Sequence, residues 1–259
     1  MTDDLVIGLN GERLVLDASG ALWWPDQATL VFADIHFEKG SFYGVRGQFL
    51  PPYDTRTTLR RMAAVVARYR PARIVALGDS FHDADAPARL DVEERIMLGA
   101  MGAGADWIWI TGNHDPAPPP WLGGFIASEF ALGGLTFRHE PAVFARRGEV
   151  AGHLHPCTTV NRRGRSLRRR CFVSDGNRIV LPAFGAYAGG LDLWDEAISS
   201  LFDGDFGAYV LGTARVYAVA GRGTYHSGRR NTTAESQPKR SAISTVDRPY
   251  ARGSRVAKS

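Results

Sequence analysis

Six of the seven histidines in this 259-residue chain fall between positions 36 and 155. Most stand beside Asp, Asn or Gly where an apolar run ends. In order they read Asp34-Ile35-His36, Gly78-Asp79, Gly112-Asn113-His114-Asp115, His139 and Gly152-His153-Leu154-His155. Carboxylate, imidazole and amide carbonyl form an oxygen and nitrogen donor set with no thiolate. Such a set suits Mn²⁺, Fe or Zn²⁺ and argues against a structural cysteine-type zinc site. On a strand, side chains two apart point to one face. Asp34 with His36, and His153 with His155, could therefore each offer two ligands to one centre. Gly78, Gly112 and Gly152 precede the polar residues, where a tight turn or close backbone approach is easiest. Asp34, His36, Asp79, Asn113, His139, His153 and His155 are too many donors for one ion and about right for two. Each piece alone is weak: an Asp-x-His pair is more often a hydrogen-bonded pair, and His139 alone is ordinary. Their joint occurrence in this order carries the signal.

The elements around these residues read as an α/β pattern. Apolar runs at Leu5–Leu9, Arg13–Leu16, Leu22–Trp24 and Thr29–Ala33 have strand length, with a hairpin signal at Asn10-Gly11. Helical spacing puts Leu59, Met62, Ala63, Val66 and Ala67 on one face of a helix opening at Asp54, which Asp54 or Thr55 can cap. Buried strands follow at Arg73–Leu77 and Trp107–Ile110, separated by a helix over Asp91–Met101. Each strand ends in polar residues, the usual place for a site in an α/β sheet. The second half predicts short strands at Phe125–Phe130, Leu135–His139, Glu149–Ala151, Cys171–Ser174 and Ile179–Leu181. A helix over Asp192–Phe202 and a closing strand over Tyr209–Ala220 complete it. Trp23, Trp24, Trp107 and Trp109 read as packing residues rather than stacking platforms for bases.

The five motifs together resemble the signature of the calcineurin-like metallophosphoesterases. That resemblance implies a four-layer αββα sandwich, two mixed β-sheets flanked by helices, over residues 1–220. It implies two divalent metal ions, Mn²⁺ first, with Fe or Zn²⁺ as alternatives. Asp34, His36 and His155 would hold the first, Asn113, His139 and His153 the second, and Asp79 would bridge them. His114 would stand next to the scissile phosphate, oriented by Asp115. Three stretches, Ala33–Gly40, Leu77–Asp83 and Leu181–Gly185, with Leu50–Thr55 beside them, are similar to a bacterial branch, the ligase-associated DNA damage response endonucleases called PdeM. This implies a phosphodiesterase or endonuclease acting on DNA alongside an ATP-dependent DNA ligase. The rivals are a phosphomonoesterase or nucleotide hydrolase with the same metals, and a scaffold without catalysis.

Charge adds an independent hint. The formal net charge is +4. Nine Arg/Lys and two Asp/Glu fall in 221–259, which leaves 22 basic and 25 acidic residues for the rest. The body is mildly acidic, and 221–259 reads as a basic, disordered tail. Within the body, Arg162, Arg163, Arg165, Arg168, Arg169 and Arg170 crowd nine positions shortly after His155. Arginine forks suit phosphate oxygens, so these six are candidate substrate contacts; the bland reading is a solvated hairpin tip. His82 is a further candidate, near Asp79, and Lys39 could meet a phosphate or be a surface lysine. Two cysteines, Cys157 and Cys171, are too few for a disulfide scaffold and are expected as buried thiols. No apolar run has membrane length and the N-terminus reads as no secretory signal, so a cytoplasmic protein without a membrane partner is expected. Oligomeric state is not encoded in any of these features.

Overall fold

The computed structural model describes residues 5–219, apart from residues 49, 52, 145 and 163. The segment read above as a basic tail lies outside the described residues.

Among the described residues, seven strands form the first sheet, in sequence order. β1 (Leu5–Leu9) turns at Asn10-Gly11 into β2 (Glu12–Leu16). Both turn residues have positive φ, 49° and 86°, which matches the strand twist a two-residue hairpin requires. β3 (Leu22–Trp24) and β4 (Thr29–Phe32) continue antiparallel. β5 (Arg73–Leu77), β6 (Asp106–Ile110) and β7 (Phe125–Ala127) then add in parallel. The β4–β5 crossover carries α1 (Lys39–Val45) and α2 (Asp54–Tyr69). The β5–β6 crossover carries α3 (Ala86–Arg89) and α4 (Val92–Gly102).

The second sheet runs β15-β14-β12-β13-β10-β9-β8, with β11 attached to β12. Its strands are β8 (Glu129–Leu132), β9 (Leu135–Arg138), β10 (Glu149–Ala151), β11 (Cys157–Arg162), β12 (Arg165–Ser174), β13 (Arg178–Val180), β14 (Gly207–Leu211) and β15 (Val216–Val219). β9, β10 and β13 are parallel and the rest antiparallel. Two mixed sheets flanked by helices are the expected fold class.

Alternation explains the layers. In β5, Val75 and Leu77 face the second sheet, where Phe137, Val150, Phe172 and Ile179 meet them. Ile74 and Ala76 face the helices, against Leu59, Met62, Leu98 and Met101. Truncating fully buried Leu59 or Met62 to Ala would cost about 2–5 kcal/mol. The fourth layer is thin: α5 (Glu196–Ser199) is one turn, and Ile198 with Leu193 and Phe202 covers Val173, Val180 and Val210.

Several expectations are corrected. The helix expected over Asp192–Phe202 shrinks to α5. The run Phe125–Phe130 divides between the two sheets, and Tyr209–Ala220 contains a hairpin rather than one strand. Neither Asp54 nor Thr55 caps α2. Asp54 Oδ2 accepts from Gly40 N at 2.9 Å, and Thr55 Oγ1 accepts from Glu38 N at 2.8 Å and donates to Glu38 Oε1. Both residues tie the helix to the chain leaving β4. At α4, by contrast, Asp91 and Glu94 make a reciprocal capping box.

Candidate metal centre

The parallel strands β4, β5 and β6 end beside the ends of β9 and β10, and the histidine motifs lie in the five turns that follow. Backbone bonds lace these turns together. His36 N donates to Asp79 O, Phe37 N to Ser80 O, and Gly152 N to His139 O, each at 2.9 Å. Gly185 N donates to Asp34 O at 3.1 Å, which fixes the Leu181–Gly185 stretch under the first turn.

Asp34, His36, Asp79, His153 and His155 all have left-handed backbone, with φ between 45° and 70°. This corrects the strand reading of the two x-spaced pairs. Asp34 and His36 do reach one cluster, through αL turns and not through the pleat. His153 and His155 part company. Such conformations cost an L-residue about 1–2 kcal/mol each and concentrate at functional sites.

The first cluster is Asp34, His36 and His155. His155 Nε2 lies 3.1 Å from Asp34 Oδ1 and 3.3 Å from His36 Nε2. The second is Asp79, His139 and His153. Asn113 Oδ1 joins it, 2.9 Å from His139 Nε2 and 3.1 Å from His153 Nδ1, with those two nitrogens 3.2 Å apart. Asp79 lies between the clusters, 3.9 Å from His36 Nε2 and 3.4 Å from His139 Nε2. His139 Nδ1 faces Leu77 O at 3.2 Å. With the proton on Nδ1, Nε2 turns a lone pair toward Asn113 and Asp79. Donor atoms of His139, Asn113, His153 and Asp79 thus converge within 2.9–3.4 Å, a geometry that a cation would satisfy. The residues present fit two divalent ions.

The histidines of the two clusters differ in their electrostatics. Burial, then the neighbouring His155, pushes His36 down to about 2, so its ring is a neutral donor of lone pairs. Burial acts against His139, yet Asp79 and Asp34 raise it above the ordinary histidine range. Burial likewise pushes Asp79 up, and His139 with the backbone of His114 brings it below the usual carboxylate range. His153 is lowered by burial and by His139.

Two glycines show how tightly the turns are drawn. A Cβ on Gly78, whose φ is +74°, would lie 2.3 Å from His139 Nδ1. A Cβ on Gly112 would lie 2.1 Å from Asp79 Oδ1.

His114 stands at the edge of the centre. Its Nδ1 lies 2.8 Å from His82 O, its Nε2 is 3.9 Å from Asp79 Oδ2, and its ring stacks on His82 at 5.2 Å. Asp115 does not orient His114. Its carboxylate accepts from Ser80 N, Phe81 N and Gly112 N at 2.8–3.1 Å, bracing the turns that carry Asp79 and Asn113. Burial pushes Asp115 up to about 7. His82 is buried, and burial followed by the charge of Lys39 lowers it to about 4. Sequence reading passed over Phe42 and Tyr43, whose rings lie 4.6 and 5.9 Å from that of His82. A seven-residue helix has too short a pattern to announce them.

The arginine run forms the β11–β12 ribbon. Arg165, Arg168 and Arg169 are exposed, and Arg168 Nη2 donates to Gly190 O at 2.5 Å. Arg170 is turned inward. It donates to the carbonyls of Ala183, Phe184 and Ala186, so its guanidinium is engaged in holding the 183–186 turn. Arg163 and the side chain of Arg162 lie outside the described residues. Cys157 and Cys171 are buried free thiols, as expected.

Two sheets closing around paired Asp/His clusters are the metallophosphoesterase type of fold. Among solved structures, the chain is similar to the Pseudomonas putida nuclease MPE, with 28% identity and a TM-score of 0.68 over 84% of this chain and 100% of that one. YfcE, a phosphoesterase from E. coli, is more distant, at 15% identity and TM-score 0.37 over 74% of this chain and 98% of its own. No protein-family model and no curated protein matches the chain.

Proposed function

We propose that the chain is a two-metal phosphodiesterase that cleaves nucleic acid, DNA first. The observation that carries this reading is the pair of lone-pair clusters bridged by Asp79, with His114 at their edge. Asp34, His36 and His155 would hold one ion, Asn113, His139 and His153 the other. Two such ions, Mn²⁺ in our reading, supply Lewis acidity and lower the pKa of a coordinated water. The protein's own contribution is orientation. His82 O accepts from His114 Nδ1, which fixes the ring with Nε2 toward the centre, where a phosphate or leaving oxygen would lie. Asp115 keeps the Asp79 and Asn113 turns at fixed separation. No side-chain nucleophile is required, so no covalent intermediate is expected.

The substrate class is supported by the similarity to a solved nuclease and by the exposed arginines of the ribbon. Residues 1–220 form the catalytic domain in this reading, and 221–259 a basic appendage. The stretches shared with the PdeM branch support a place in DNA repair beside an ATP-dependent ligase, in the cytoplasm. Among the described residues no helix is long and apolar enough to cross a membrane.

The test combines metal analysis with hydrolysis of a phosphodiester chromogen, a monoester and plasmid DNA. We expect two ions per chain and preference for the diesters. Asn113→Ala should lose metal. His114→Ala should keep metal and lose about 10²–10⁴-fold in kcat. Turnover unchanged in both variants excludes the catalytic assignment, and preference for the monoester selects the phosphomonoesterase.

A further inference from the structure

Lys39 opens α1, three residues after His36, with no other cationic side chain between them. Its side chain is half-buried, and burial lowers its pKa, with Asp54 acting in the opposite direction. Among the described residues the ammonium has no hydrogen bond and no ion pair. Asp54, the anion that acts on it, is committed through Oδ2 to Gly40 N. Two residues before Lys39, Phe37 O accepts from His82 N at 3.0 Å and Phe37 pairs with Phe81, so Lys39 opens α1 beside the His114–His82 ring stack, and its charge is felt at both His36 and His82. That stack continues into Phe42 and Tyr43, both partly exposed.

A half-buried cation without a partner is costly, and one set beside two expected metal ions is more so. An anion between them removes the conflict. In the proposed reading the scissile phosphate lies at the clusters, and no hydrogen bond or ion pair from Lys39 reaches Asp34 or Asp79. We infer that Lys39 binds the phosphate next to the scissile one in a polymeric substrate, on the side where His82, Phe42 and Tyr43 line the approach. This inference rests on the phosphodiesterase reading and adds a substrate-binding residue to it. Lys39 is then a residue that distinguishes a nucleic-acid strand from a small diester.

The experiment compares full-length protein with Lys39→Gln and Lys39→Arg. Substrates are an oligonucleotide and bis-p-nitrophenyl phosphate, which has a single phosphate. Binding of a phosphorothioate oligonucleotide is followed by fluorescence anisotropy at several salt concentrations. Expected for Lys39→Gln is a roughly tenfold fall in the ratio of kcat/KM for oligonucleotide over small diester, carried by KM. The salt slope of oligonucleotide binding should become shallower by about 0.7, the share of one phosphate contact on a single strand. Lys39→Arg should restore most of both. An unchanged ratio with an unchanged slope overturns the assignment, as does an equal loss on the two substrates. If the unaltered protein hydrolyses neither diester, the phosphodiesterase reading fails first and this one falls with it.

Discussion

His36 and His139 sit in one centre and are driven in opposite directions. Burial holds His36 neutral down to about 2, while Asp79 and Asp34 keep the proton on His139 above its ordinary range. The consequence for metal-free protein follows from linkage. Below pH 6.5 the unfolded chain takes protons on His36 and His82 that the folded chain refuses down to about 2 and about 4. Stability is therefore lost as pH falls through that window. Asp115, pushed up to about 7, opposes this with one proton. Above pH 6.5, His139 holds a proton that the unfolded chain has released, so stability falls again as pH rises through its raised pKa. Chelator-treated protein should show its highest Tm near neutrality, falling on both sides. A scan by calorimetry from pH 4 to 10 checks this, and a Tm rising monotonically with pH counts against it.

At the scale of elements, the turns decide the site. The residue types of all seven candidate ligands were legible, because donors at strand ends announce themselves. Their backbone was not. Pleat logic paired His153 with His155, whereas left-handed turns send one to each cluster. A local αL conformation leaves no periodic trace, and Asp or His at such a position looks like any polar residue. The same limit hid the roles of Asp54 and Thr55, whose types suggest capping and whose bonds go to Gly40 and Glu38 instead. Strands with apolar residues on both faces, such as β4, β5 and β6, were read within a residue or two. The single turn of α5 was overread because Leu193, Ile198 and Phe202 are apolar at near-helical spacing while most of the segment follows irregular backbone. Gly78 gives the direct test of turn geometry. In Gly78→Ala, a methyl group 2.3 Å from His139 Nδ1 must displace that ring. Metal content should fall toward one ion per chain, with about 1–2 kcal/mol of stability lost to the left-handed backbone. Two ions retained at full activity would contradict the geometry.

For the whole molecule, the net charge of +4 describes no single surface. The arginine ribbon is one place where the sign has a use, and its members have separate duties. Reversing Arg165, Arg168 and Arg169 to Glu should weaken DNA binding and flatten its dependence on salt, with Tm nearly unchanged because these side chains are exposed. Arg170→Ala should do the reverse. Its lost bonds to Ala183, Phe184 and Ala186 remove about 1–3 kcal/mol of stability, while the salt slope stays as it was. Anisotropy titrations paired with thermal melts separate the two outcomes. Identical phenotypes would mean that the ribbon acts as one structural unit and not as a nucleic-acid contact.

The left-handed turns have one more consequence. They are braced by backbone bonds from His36, Phe37, Gly152 and Gly185 to the carbonyls of Asp79, Ser80, His139 and Asp34, by His153 N donating to the Asp34 carboxylate, and by the carboxylate of Asp115. In a small zinc domain the ion and the fold arrive together, and removing one removes the other. Here the turns are held by protein–protein bonds, and two apolar cores that lie elsewhere offset their conformational cost. Loading the proposed centre would then be docking onto a frame held by its own bonds. If the centre takes two ions as proposed, ions of similar size should replace one another without the chain refolding, and the choice among them would pass from the protein to the composition of the surrounding solution.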